Sequence, residues 1–157
     1  MDFTQDPEVI TSYLAMLRRD WNKAKEGFVE LSKHWESLGS EFFPGVSMSR
    51  STDGTTVAGD VLGKHFSIGI EPLASDKTCF AQVLVTVKFS GNIQFEAARF
   101  LLNRRGQVVD KDGTVQVDTE EGEGSARVFS SIIRTVIQQP APLLNASAQT
   151  LIYTDAE

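Results

Sequence analysis

The sequence predicts an α+β fold: a long N-terminal helix packed on an antiparallel meander sheet of five or six strands, with a second helix near the C-terminus. Three observations carry this. Ile10, Leu14, Leu17, Trp21, Ala24, Phe28, Leu31, Trp35, Leu38 and Phe42 recur at alternating gaps of four and three. Beyond Pro44 the apolar period drops to two. Tight-turn signals then punctuate the alternating segments.

The first helix is expected near 7–38. Asp6 is placed to cap it, Pro7 suits a first position that needs no N–H, and Glu8 favours the positive end of the dipole. Gly39 reads as the residue just past its end. Gly27, in "AKEGFVE", is where such a helix would break if the sheet is too short to underlie all of it.

Asp53-Gly54 is a type I′ hairpin signal and Gly63-Lys64 a type II′ one. Closing the first pairs Val46 with Val61, Met48 with Gly59 and Arg50 with Val57. Closing the second pairs Val61 with Phe66, Gly59 with Ile68 and Val57 with Ile70. A loop at "PLASDK" would then set Ile70 opposite Cys79 and Ile68 opposite Ala81. One face of this sheet is apolar; the other carries Ser47, Ser49, Asp60, His65, Ser67, Gln82, Thr86 and Lys88, with Phe80 and Leu84 as exceptions. Gly59 and Ala81 leave room on the apolar face for an aromatic ring from the helix.

Residues 93–105 read either as a strand, through Ile93, Phe95 and Ala97, or as a capped helix ending at Gly106; the short "SGN" connection before them favours a fifth strand. "QVVDKDGTVQVD" reads as a short hairpin. Residues 124–139 form an amphipathic helix with Phe129, Ile132, Ile133 and Val136 on one stripe, stopped by Pro140 and Pro142. Residues 143–157 keep Leu143, Leu144, Leu151, Ile152 and Tyr153, too apolar for an idle tail, and are expected to dock.

The 157 residues, 41% of them hydrophobic, suit a single domain, 1–157. A lone cysteine, Cys79, leaves no internal disulfide, and with no signal-like start the expected compartment is the cytoplasm. Of the net charge of −6, residues 110–123 supply six acids against Lys111. An acidic chain without a basic face is a poor partner for nucleic acid, and no apolar run approaches the ~18 residues a membrane span needs.

Motifs for chemistry are weak. "GDVLGKH" (59–65) lacks the glycine spacing and the Ser or Thr of a phosphate loop. "VVDKDG" puts Val108 and Thr119 at two essential positions of a calcium loop. Asp60, His65 and Ser67 share the wet face and form the one hydrolase-like set, without a pocket or oxyanion hole. Cys79 and His65 fall far apart along the strands, and His34 has Leu38 at the position a second ligand would take, so no metal or cofactor is expected.

The leading expectation is a non-catalytic protein-interaction module of chaperone-like, immunity-type or adaptor character, self-associating as a homodimer. It would bind through surplus helix, sheet edge or tail, with Ile10, Tyr13, Leu14 and Leu17 as the interface because Tyr13 and Met16 widen the apolar surface there. The alternatives are a carrier of a small apolar ligand between helix and sheet, and a hydrolase using Asp60, His65 and Ser67.

Overall fold

The computed structural model describes residues 1–142. Its order is α1 (Pro7–Glu41), β1 (Val46–Arg50), β2 (Thr56–Val61), β3 (Lys64–Ser75), β4 (Thr78–Phe89), β5 (Ile93–Leu102), β6 (Val108–Val109), β7 (Val115–Val117) and α2 (Gly122–Gln138). The fold is α+β, as the periodicities require. The strands form one antiparallel sheet in chain order, and they number seven rather than five or six, because "QVVDKDGTVQVD" adds two strands to the same sheet. Both helices cover one face of the sheet.

Helix α1 starts where its cap predicts: the Glu8 amide donates to Asp6 Oδ1 at 2.9 Å. It runs three residues beyond the predicted end. Gly39 is buried inside it, where an added Cβ would lie 3.3 Å from Val46 Cγ1, so this glycine admits a neighbouring strand rather than ending the helix. The 35 residues are continuous through Gly27 and span about 52 Å.

The sheet underlies more of that length than strands of average size would. β3 and β4 have twelve residues each, about 40 Å, and carry their hairpin out beneath the first turns of α1. There Tyr13 Oη donates to the Asp76 carbonyl at 2.8 Å, and the Cys79 amide donates to Asp20 Oδ2 at 3.3 Å. The extended hairpin accommodates Pro72. β2 pairs with β3 only as far as Gly69, so Pro72 sits where one side of β3 is open and its missing N–H is tolerated.

The first hairpin has the predicted pairs, Val46 with Val61, Met48 with Gly59 and Arg50 with Val57. Its turn is wider than type I′: only Gly54 has positive φ, and Asp53 organises the loop by accepting from Ser51 and Thr55. The second hairpin is displaced by two residues. It turns at Leu62-Gly63, both with positive φ, and pairs Gly59 with Phe66, Val57 with Ile68 and Asp60 with His65. The Phe66 ring thereby covers Gly59, where a Cβ would stand 2.8 Å from Cζ; the ring that uses this space comes from the adjoining strand, not from α1. The third hairpin turns at Asp76-Lys77 and pairs Ile70 with Val83 and Ile68 with Val85, four residues from the predicted register. Each displacement is an even number, so every side chain keeps its predicted face.

β5 is a strand, with a bulge opposite Val85/Thr86. Ile93 and Phe95 precede the extra residue, Ala98, Phe100 and Leu102 follow it, and both sets share the helix face. A change of parity inside one strand is what made this segment read partly as a helix.

In the core, Trp35 stacks on Phe129 of α2 at 6.0 Å between centroids and meets Phe28 edge-on at 5.9 Å. Ala24, Val57, Ile68, Val83, Val85 and Leu102 are fully buried around them. Buried α2 residues Phe129, Ile132 and Val136 follow the predicted stripe, Ile133 is half-buried, and the helix spans 122–138 rather than 124–139. The docking expected of residues 143–157 lies outside the described residues. Among the described residues no helix is long and apolar enough to cross a membrane.

Candidate functional site

The polar face is built of cross-strand rows. Ser47, Asp60, His65, Lys88 and Gln94 stand side by side across β1 to β5, and Ser49, Ala58, Ser67, Thr86 and Glu96 form the next row. His65 Nδ1 contacts Asp60 Oδ1, so the structure brings the predicted base and acid together. Ser67 faces Ala58 and Thr86 instead of Asp60, as the displaced hairpin dictates, and no hydrogen bond joins it to His65. An open groove of about 1030 Å³ runs over these rows. It presents an acid–imidazole pair with no nucleophile attached.

A second histidine has partners that sequence reasoning missed. His34 Nδ1 lies 2.7 Å from Ser125 Oγ, and Trp35 Nε1 donates to the Ser125 carbonyl at 3.1 Å. Ninety-one positions separate His34 from Ser125, and no local pattern links them. Ser125 is only 2% exposed, which denies its hydroxyl to a substrate and leaves the contact as a tie between α1 and α2. Beside it Arg105 forms a forked ion pair with Glu120 at 2.8 and 2.9 Å.

The four predicted interface residues divide. Leu17 is buried in α1's own contact with the sheet, and Tyr13 is half-buried and tied to Asp76. Ile10 is half-buried, and Leu14 is 58% exposed. The space between α1 and the sheet, where the alternative reading as a carrier puts its ligand, is occupied by the fully buried Phe28, Trp35 and Phe129.

The remaining feature is at the far edge of the sheet. Among the described residues no strand pairs with the outer side of β7. Two apolar clefts lie toward this end of the sheet, one on each face, the first reaching β7 only at Gln116 and the second at Val117. On the face away from the helices, a cleft of about 500 Å³ has Leu73, Phe80, Leu101 and Val109 as its floor, with Gln82, Arg99 and Lys111 on its rim. Phe80, Leu101 and Val109 form a small core of their own, which explains why Phe80 broke the polar pattern of this face. Glu96 pairs with Arg99 and pushes its guanidinium above its ordinary value. On the helix face, a cleft of about 230 Å³ lies between α2 and the sheet, lined by Phe100, Val108, Val117, Val128 and Ile132. Val115, on the open edge, is 45% exposed.

Comparison with protein-family models, curated proteins and solved structures finds no match, so every role assigned to a residue rests on this chain's own geometry.

Proposed function

We propose that the chain is a non-catalytic protein-interaction module that takes an extended segment of polypeptide onto the open edge of β7. The observation that carries this reading is the coincidence of an edge that no strand among the described residues pairs with and an apolar cleft near it on each face of the sheet. In strand addition, main-chain hydrogen bonds supply affinity while pockets for alternate side chains supply selectivity. A segment with successive apolar residues would present side chains toward the near end of each cleft, as a strand with two apolar faces does.

The test is a fluorescence-anisotropy titration with a labelled decapeptide, three β-branched apolar residues flanked by threonine and lysine. It is run on the whole chain and on one with Leu151, Ile152 and Tyr153 changed to serine, so that no apolar tail competes. Saturable binding to either chain, weakened at least about tenfold by Val115→Lys, is expected, because a charge on an edge strand opposes pairing. Peptide binding that is absent from both chains, or indifferent to Val115→Lys, overturns the reading.

A second surface supports self-association. Val9 and Leu14 are 60% and 58% exposed on the first turns of α1, beside half-buried Ile10 and Tyr13. A two-fold pairing of these turns would cover apolar surface that a monomer leaves in water.

A further inference from the structure

We infer that the cleft between α1 and the β5–β6 loop, lined by Arg19, Lys23 and Arg104, binds the phosphomonoester dianion of a small organic ligand. It shares no residue with the clefts toward β7 and does not rest on the peptide reading.

The first observation is a pair of arginines without acids. The chain has 21 acidic residues against 15 lysines and arginines, so carboxylates are in surplus. Arg50, Arg99, Arg105 and Arg127 each pair with a glutamate. Among the described residues no carboxylate pairs with Arg18, Arg19, Arg104 or Arg134, and two of these four, Arg19 and Arg104, line one cleft. Lys23, about one turn along α1 from Arg19, lines it too. Its contact with Glu26, at 3.7 Å, is long and exposed at both ends, a pair that is readily given up. Asp20, the one carboxylate in the lining, accepts from the Cys79 amide. Three cations therefore face a single carboxylate that the main chain already engages.

The second observation is that the loop carrying Arg104 is fixed by its own hydrogen bonds. Asn103 Oδ1 accepts from the amides of Arg105 and Gln107 at 2.9 and 3.0 Å, and the Gly106 amide donates to the Asn103 carbonyl at 2.9 Å. Gly106 is also packed on Gly27, where a Cβ added to Gly106 would lie 3.1 Å from Gly27 Cα. Arg105 is taken by Glu120, so the loop offers Arg104 alone. Main chain that is ordered before a ligand arrives does not have to be ordered by it.

The lining selects the ligand. Each guanidinium presents planar, paired N–H donors suited to phosphate oxygens, and the ammonium adds a point charge. A phosphomonoester brings nearly two negative charges to three cations, where a carboxylate brings one. The cleft, about 480 Å³, has the size of a small-molecule site, and half-buried Met16 gives the body of the ligand an apolar contact. A nucleic-acid backbone requires cations spread along its length, and these three form one cluster.

The experiment is isothermal titration calorimetry of the whole chain with phenyl phosphate at about pH 8, where the ester is a dianion. Saturable one-site binding is expected, weakened at least about tenfold by Arg19→Gln and by Arg104→Gln, each of which removes charge-assisted hydrogen bonds. Both side chains are exposed, so the circular dichroism spectrum should not change. Arg18→Gln, on the same helix and outside the cleft, should alter the affinity by less than about twofold, and benzoate, with the same ring and one charge, should bind at least about tenfold more weakly than phenyl phosphate. In the ¹⁵N-labelled chain, phenyl phosphate should shift the amides of residues 16–23 and 103–106. Absence of saturable binding, an equal loss in Arg18→Gln, benzoate as tight as the phosphate, or shifts centred on His65 or β7 overturns the inference. A phosphotyrosyl peptide that binds at least about tenfold more tightly than phenyl phosphate, with the same dependence on Arg104, gives the site to a protein partner and overturns its assignment to a small ligand.

Discussion

Gly27 of α1 and Gly106 of the β5–β6 loop meet backbone to backbone: a Cβ added to Gly27 would lie 2.8 Å from Gly106 Cα and 3.1 Å from its amide nitrogen. Gly106 has φ of +75°, a conformation in which side-chain-bearing residues are strained, so the loop is committed to this approach. Gly27 is therefore neither a hinge nor a break in the helix. It is the point at which the loop leading to β6 and β7 is pressed against α1.

Gly27→Ala tests this contact, because helix propensity and packing predict opposite signs. Alanine is favoured in a helix interior by about 1 kcal/mol. Overpacking at a fixed backbone typically costs about 1–3 kcal/mol, and here both partners of the clash are main chain. A net loss of about 1–2 kcal/mol is expected, read as a lower urea midpoint with unchanged slope. A stabilised variant would show that the loop can retreat at no cost.

The two tryptophans are not equivalent. Trp35 is fully buried between Phe28 and Phe129 and bonded to Ser125, whereas Trp21 is half-buried at the margin of the core. Trp35→Ala should cost about 3–5 kcal/mol, a large fraction of the stability of an ordinary domain, and Trp21→Ala less than half as much. Equal losses in chemical denaturation would contradict this packing.

Self-association is tested best at Leu14, since glutamate at the buried Leu17 would disturb the fold itself. Leu14→Glu should convert a dimer into a monomer by light scattering with an unchanged circular dichroism spectrum. A native chain that is monomeric at high micromolar concentration removes the proposal.

Asp53 should titrate anomalously. The Thr55 hydroxyl, the Thr55 amide and the Ser51 hydroxyl hold its carboxyl at about 2, against the ordinary 3.8. Since the folded value is the lower one, the loop's contribution to stability is complete above pH 3.8 and is lost as pH falls through about 2. Carboxyl ¹³C NMR should find the low midpoint in the native chain, and Thr55→Ala should move it upward. A midpoint near 3.8 in the native chain would mean that the turn does not persist in solution.

The faces of the elements were legible because side-chain periodicity is a local property. Alternation placed Val57, Phe66, Ile68, Val83 and Val85 on one side whatever the register, so even-numbered displacements of two hairpins left the core unchanged. The four-three spacing of α1 likewise identified Leu17, Ala24, Phe28, Leu31 and Trp35 as its buried seam.

The candidate site was not legible, because it depends on where strands stop and on what lies opposite. Pro72 read as the start of a loop until the early end of β2 left it without a partner to satisfy. Phe80 read as an exception until Leu101 and Val109 met it across the sheet. The sequence alone determined the class of fold, the faces of its elements and the cap of its first helix, all set by neighbours within a few residues. Tertiary structure alone decided the reach of the β3–β4 hairpin, the contacts of Gly27 with Gly106 and of His34 with Ser125, and the two clefts toward the β7 end of the sheet, because each is an approach between distant segments that no local pattern encodes.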